Sequence, residues 1–239
     1  MFAHLMYAQS AALFYLFAVT LSAARPGVTK PDQAQLDVYL KGDAGGLSAT
    51  LPPAAFTAMT EELDSLLQPA SVHVVMHGGE STTLTQDADY LRQVVVQVDF
   101  RGTCLPAAAD RHEPKREPWI RSAIPLASTN VANGQVLPFS WVDCSAVNRF
   151  VGPGLAKLSD SDRAHAYGRA LARLLAHEFY HVLTHSESHQ ETGVAKPRFS
   201  AEELLANHFV FDAAAISKLL PQPTALESVE LDSVPVGGR

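Results

Sequence analysis

Cysteine is scarce: Cys104 and Cys144 are the two present among 239 residues, which excludes a disulfide framework and a four-cysteine zinc site. A basic surplus is also missing. Eighteen Lys+Arg stand against 25 Asp+Glu, for a formal net charge of −7, so nothing neutralises the phosphates of a nucleic acid and that partner is not expected. With 14 Gly and 15 Pro and no internal repeat, collagen-like and low-complexity classes are out. Neither His77-Gly78-Gly79 nor Gly152-Pro153-Gly154 has the strand-loop-helix glycine spacing of a phosphate or dinucleotide cradle, and both read as turns. What the chain does have is a 47% hydrophobic composition, enough for one domain or two small ones. It also has ten histidines, with His165, His177, His181, His185 and His189 crowded into one stretch.

Residues 1–24 contain no Asp, Glu, Lys or Arg, and Ala11 to Leu21 is an apolar run followed by the small residues Ser22-Ala23-Ala24. The run has the length of a signal-peptide core and falls short of a membrane span of about 20 residues. Cleavage is expected near Ala24, giving an exported protein, periplasmic or secreted; a membrane enters only if the segment is retained as an anchor. Export suits the cysteines. Cys104 follows the strand-like run Gln93 to Phe100 and Cys144 ends Pro138 to Asp143, so a disulfide between two strand ends is expected, with two buried thiols the alternative.

The remainder reads as one domain over 25–220 and a loosely ordered tail over 221–239. Strands are expected at Gln33 to Leu40, Ser71 to Met76, Gln93 to Phe100 and Pro138 to Asp143, where β-branched and alternating apolar residues dominate. Pro52-Pro53 opens a helix with Ala55, Phe56, Met59, Leu63 and Leu66-Leu67 at three-to-four spacing. Ser159 to Asp162 offers N-caps for a long helix bearing Tyr167, Leu171, Leu174, Leu175, Phe179, Val182 and Leu183 on a buried side. Ser200 with Glu203 is a capping-box pattern that opens a last helix running to about Leu220. The order predicts an α+β fold, a small mixed β-sheet packed on one long helix.

That helix carries His177-Glu178-Phe179-Tyr180-His181, an HExxH pattern. Residues four apart share a helix face about 6 Å apart along the axis, so two imidazoles can point at one Zn2+. Glu178 is rotated by about 100° from His177; it is placed for a metal-activated water, where a general base belongs. A catalytic zinc needs a third protein ligand. His185 continues the ladder but lies about 12 Å from His177 along the axis, too far to share the ion, and suits the negative end of the helix dipole. His189, past the point where the chain can turn back, is the leading third ligand. Glu202 or Glu203 is the alternative, and Glu187, Glu191 and His208 complete the set. Tyr180 points away from the ligand face, and His77, at a strand end, is a candidate approach to the cleft.

The stretch His177 to Pro197, HEFYHVLTHSESHQETGVAKP, resembles the active-site segment of the zincin metallopeptidases, and within them the metzincin pattern HExxHxxGxxH followed by a Met-turn. The resemblance implies zinc on His177, His181 and His189, a water-activating Glu178, and a peptide or protein substrate. Gly168 to Arg173 and Gly193 to Lys196 also resemble a group of exported bacterial zincin-like proteins. Three departures stand out. The second and third His are eight residues apart rather than six, Thr184 or His185 replaces the turn glycine, and Ala195 lies near where the Met-turn methionine would fall. Two readings follow: an exported zinc-dependent metallopeptidase, or a zinc-binding exported protein that hydrolyses nothing.

Overall fold

The computed structural model describes residues 33–42, 51–78, 92–106 and 125–220. The expected signal segment and C-terminal tail lie outside these residues. The chain divides into Met1–Pro31 and Asp32–Arg239, and the fold below belongs to the second unit.

Five strands form one mixed sheet: β1 (Ala34–Gly42), β2 (Val72–Gly78), β3 (Arg92–Arg101), β4 (Ala127–Ala132) and β5 (Gln135–Asp143), ordered β2-β1-β3-β5-β4. All neighbouring pairs are parallel except β4–β5. Alternation along β1 sorts its residues between two faces. Leu36 and Val38 are fully buried under the helices. Gln35 and Asp37 take the other face, where the Asp37 carboxylate accepts from Gln35 Nε2 (2.9 Å), His77 Nε2 (2.7 Å) and Gln93 Nε2 (2.6 Å). Burial alone would raise the Asp37 pKa, but these hydrogen bonds hold it below its ordinary value.

Helix α1 (Pro53–Leu67) starts on Pro53 as its spacing predicts and buries Ala55, Ala58, Met59, Leu63, Leu66 and Leu67. It packs on α3 (Asp160–Thr184). Gly168 makes the close approach possible: a Cβ there would strike the Ala55 carbonyl and the Ala58 side chain. Ser159 caps α3 by accepting from the Asp162 N–H at 3.2 Å. From Ala170 to Leu183 every residue of α3 is buried, so its motif half is the central element of the domain.

Two expectations are corrected here. Gly152-Pro153-Gly154 is not a turn but the end of a helix, α2 (Cys144–Leu155), which Asp143 caps by accepting from Ala146 N–H at 2.8 Å. Pro153 has no N–H to offer the Arg149 carbonyl, and the helix ends two residues beyond it at Leu155. The last helix is not continuous. It divides into α4 (Ala201–Leu205), opened by the Ser200–Glu203 capping box, and α5 (Ala213–Leu219), capped by Asp212. Between them the chain is non-helical, because buried Arg173 claims the carbonyls of Glu203 (2.9 Å), Leu204 (3.1 Å) and Ala206 (2.8 Å). Arg173 also pairs with Glu62 of α1 at 2.7 Å, joining three helices around one guanidinium.

Cys104 and Cys144 form a disulfide with Cα atoms 4.8 Å apart, which ties the end of β3 to the start of α2. No described helix is long and apolar enough to cross a membrane. Together these elements make an α+β fold of zincin-like type, with the HExxH helix against a mixed sheet.

Candidate metal centre

His177 and His181 project from one face of α3 with Nε2 atoms 3.2 Å apart. Each ring is steered from its other side. His177 Nδ1 lies 2.8 Å from the Val194 carbonyl and His181 Nδ1 lies 2.7 Å from the Ser186 carbonyl. A carbonyl can only accept, so both Nδ1 atoms carry hydrogen and, in the neutral rings, both Nε2 atoms present lone pairs. Two lone pairs facing at that distance repel unless a cation lies between them. Ligands about 2.05 Å from a tetrahedral zinc are separated by about 3.3 Å, so the spacing fits that ion.

The loop after α3 brings in the third imidazole. His185 adopts a left-handed conformation (φ 49°) and ends the helix, its N–H returning to the Val182 and His181 carbonyls. It occupies the turn that the metzincin pattern gives to glycine, and the favourable cation at this helix end is Arg92, which donates to the Leu183 carbonyl (3.3 Å) and lies 3.1 Å from His185 Nε2. Beyond it, His189 lies with its ring centre 5.1 Å from that of His177 and 4.8 Å from that of His181. One ligand atom from each of the three falls within 4.8 Å of the others. Burial, reinforced by the neighbouring imidazoles, pushes the His177 pKa down to about 4; burial and His181 lower that of His189. Both therefore stay neutral near pH 7, the form that binds metal.

Tyr180 points away from the ligands, as helix geometry predicts, and its fully buried ring has a task there. Its hydroxyl accepts from Gln190 Nε2 at 2.8 Å, and Gln190 N–H donates to the Ala195 carbonyl at 2.9 Å. The residue next to His189 is thereby pinned. Val194 and Ala195, where the Met-turn methionine is absent, are fully buried, and Val194 N–H donates to the Val210 carbonyl at 3.1 Å.

Glu178 lies beside the cluster and is buried. Its Oε2 accepts from Thr129 Oγ1 at 2.7 Å, and Thr129 is 3.0 Å from Ser140 Oγ. With its single proton given to the carboxylate, Thr129 accepts from Ser140, so the chain of donors runs from β5 through β4 to the helix. Burial raises the Glu178 pKa to about 7, against the lowering effect of Thr129. Histidines and Glu178 open on a cleft of about 280 Å³ whose other wall is β4.

The carboxylate alternatives do not join the cluster. Glu203 is engaged by the Ser200 N–H (2.8 Å) and by Lys196, and Glu202 is exposed on α4. Glu187, Glu191 and His208 are likewise absent from the converging group. His77 does not approach the cleft either, because β2 is the edge strand opposite β4. Thr129 escaped the sequence reading, which assigned no strand at β4. The signal was Asn133-Gly134 between Val131 and Val136: Asn133 (φ 52°) and Gly134 (φ 74°) form the two-residue turn of the β4–β5 hairpin.

No family model matches the chain, and no curated protein and no solved structure shows significant similarity to it. The geometry itself carries the assignment: HExxH on a buried helix, joined by His189 from the following loop, makes a zinc-binding cluster of zincin type, metzincin-like in its third histidine.

Proposed function

We propose that this protein is an exported zinc-dependent metallopeptidase, its catalytic domain spanning residues 25–220 after loss of residues 1–24. His177, His181 and His189 would hold the ion through ring nitrogens, and Glu178 would act as the general base. When bound, zinc supplies Lewis acidity that acidifies a water and polarises a peptide carbonyl. The protein's own part is proton traffic and orientation. Glu178 takes a proton from the attacking water and returns it to the leaving amine, while Val194 and Ser186 carbonyls fix the tautomers of two ligands.

The observation that carries this reading is the pair of Nε2 lone pairs 3.2 Å apart beside a buried glutamate. Export is supported by the charge-free N-terminal sequence and by the disulfide. Glu178→Gln tests the mechanism. The variant should keep zinc and lose cleavage of a peptide mixture by about a hundredfold or more. Unchanged cleavage by zinc-loaded E178Q would leave the assignment untenable, and a wild type that binds zinc yet cleaves nothing would favour the non-hydrolytic alternative.

A further inference from the structure

The cleft beside the histidines has walls of opposite character. On the β4–β5 side stand Ala127, Ser128, Thr129, Val131 and Val136, three aliphatic residues and two hydroxyl-bearing ones; on the loop side stand Glu187 and Pro197. Among the described residues the lining holds two carboxylates, Glu178 and Glu187, and no Lys or Arg. Glu178 is already engaged by Thr129. Glu187 is exposed at the cleft and has no hydrogen bond or ion pair with a described residue.

Its position is fixed from both sides. The Ser186 carbonyl accepts from His181 Nδ1, the Ser186 hydroxyl accepts from Ser188 N–H at 3.1 Å and lies 2.6 Å from the Ser188 hydroxyl. His189 follows immediately and is drawn into the cluster. The turn that carries Glu187 is therefore anchored through its backbone to two of the three candidate ligands, which keeps the root of this side chain at the mouth of the cleft. A negative charge at the cleft mouth, with no Lys or Arg among the described lining residues to answer it, offers a local ion-pair partner to a basic side chain on whatever enters, in addition to the charge of the ion that the histidines would hold.

We infer that Glu187 is a specificity-determining residue that selects peptides with a Lys or Arg side chain beside the scissile bond. The inference rests on the peptidase reading above. An ion pair between this carboxylate and a flexible basic side chain at a solvent-accessible cleft changes kcat/KM by up to about fivefold.

The test uses zinc-loaded protein and peptides of one framework in which a residue flanking the cleaved bond is Arg, Gln or Glu. Wild type should prefer Arg to Gln by up to about fivefold and disfavour Glu. The Arg-to-Gln ratio should fall towards one in Glu187→Gln and the Glu peptide should become the better substrate in Glu187→Lys, with zinc content equal to wild type. Cleavage with no Arg preference, a ratio unchanged in E187Q, or loss of zinc from E187Q overturns the assignment of Glu187 while leaving the peptidase reading intact. Equilibrium binding of the same peptides to E178Q and to the E178Q/E187Q double variant separates the two ideas. Tighter binding of the Arg peptide that disappears in the double variant, in a protein whose wild type cleaves nothing, upholds Glu187 as a cation-selecting residue and overturns the peptidase; equal binding of all three peptides overturns Glu187.

Discussion

Thr129 Oγ1 donates to Glu178 Oε2 across 2.7 Å, from the edge strand β4 to the motif helix. This bond joins the sheet to the group that we assign as the base, and Thr129, which serves the buried carboxylate from both its side chain and its backbone, is the residue that orients it. Thr129→Val keeps the shape and removes the donor. We expect kcat to fall by about tenfold or more, with zinc content unchanged, measured by metal analysis and steady-state cleavage of a peptide mixture. Equal activity in T129V would show that the bond does not position Glu178.

His189 is the exposed member of the cluster, and it comes from a loop rather than from α3. Replacing it by Ala should weaken zinc binding by more than the roughly 10–100-fold that follows loss of a supporting partner. Glu202→Ala should bind zinc as wild type does. Competition with a chelator, followed by metal analysis, gives both numbers in one experiment.

Acid should unfold the protein partly through Asp37. Its folded-state pKa is held below the ordinary carboxylate value by His77, Gln93 and Gln35, against the raising effect of burial. A depressed folded pKa means stability that is present above the unfolded-chain value of about 3.9 and is lost as pH falls through the folded value. Asp37→Ala should cost about 2 kcal/mol at pH 6, by removing the acceptor of three donors, and should flatten the fall in stability below about pH 4. Urea unfolding at a series of pH values measures it.

The Cys104–Cys144 disulfide closes a sequence separation of 40. A loop of this length is worth about 2–4 kcal/mol through restriction of the unfolded chain. The double variant Cys104→Ser/Cys144→Ser should show that loss in unfolding experiments, and dithiothreitol should reproduce it in the wild type while leaving the variant unaffected.

The parts of this fold that can be read directly from sequence are those in which one local pattern coincides with one structural role. Val94 to Phe100 alternates as a strand and is one; the capping box Ser200–Glu203 and the helix from Ser159 behave the same way. The zinc cluster was legible for the same reason, since a helical repeat of four places His177 beside His181 whatever surrounds them. His189 needed more, because a loop's path depends on which carbonyls and hydroxyls hold it, here Tyr180 and Ala195 acting on Gln190.

Failures came where local preference met tertiary demand. Gly152-Pro153-Gly154 has the composition of a turn, yet it is the last stretch of α2, whose start is set by Asp143 and whose Val147, Val151 and Leu155 are buried. The stretch from Ser200 to Leu220 has helical spacing, yet Arg173, distant in sequence, withdraws the carbonyls needed to continue α4. Thr129 lies on a strand with little β-branched apolar character, in which the hairpin turn alone announces the pairing.

Val194 and Ser186 hold the two helix-borne imidazoles through main-chain oxygens. Every amino acid brings the same oxygen, so what the site asks of these two positions is the course of the chain, and their side chains answer to packing at Val194 and to the Ser188 contact at Ser186. A residue inserted or deleted between Ser186 and Val194 moves the Val194 oxygen relative to His177 while leaving the Ser186 oxygen on His181, so the two imidazoles are held by separable stretches of the loop. The length of this loop, more than its side chains, is therefore what the imidazoles register.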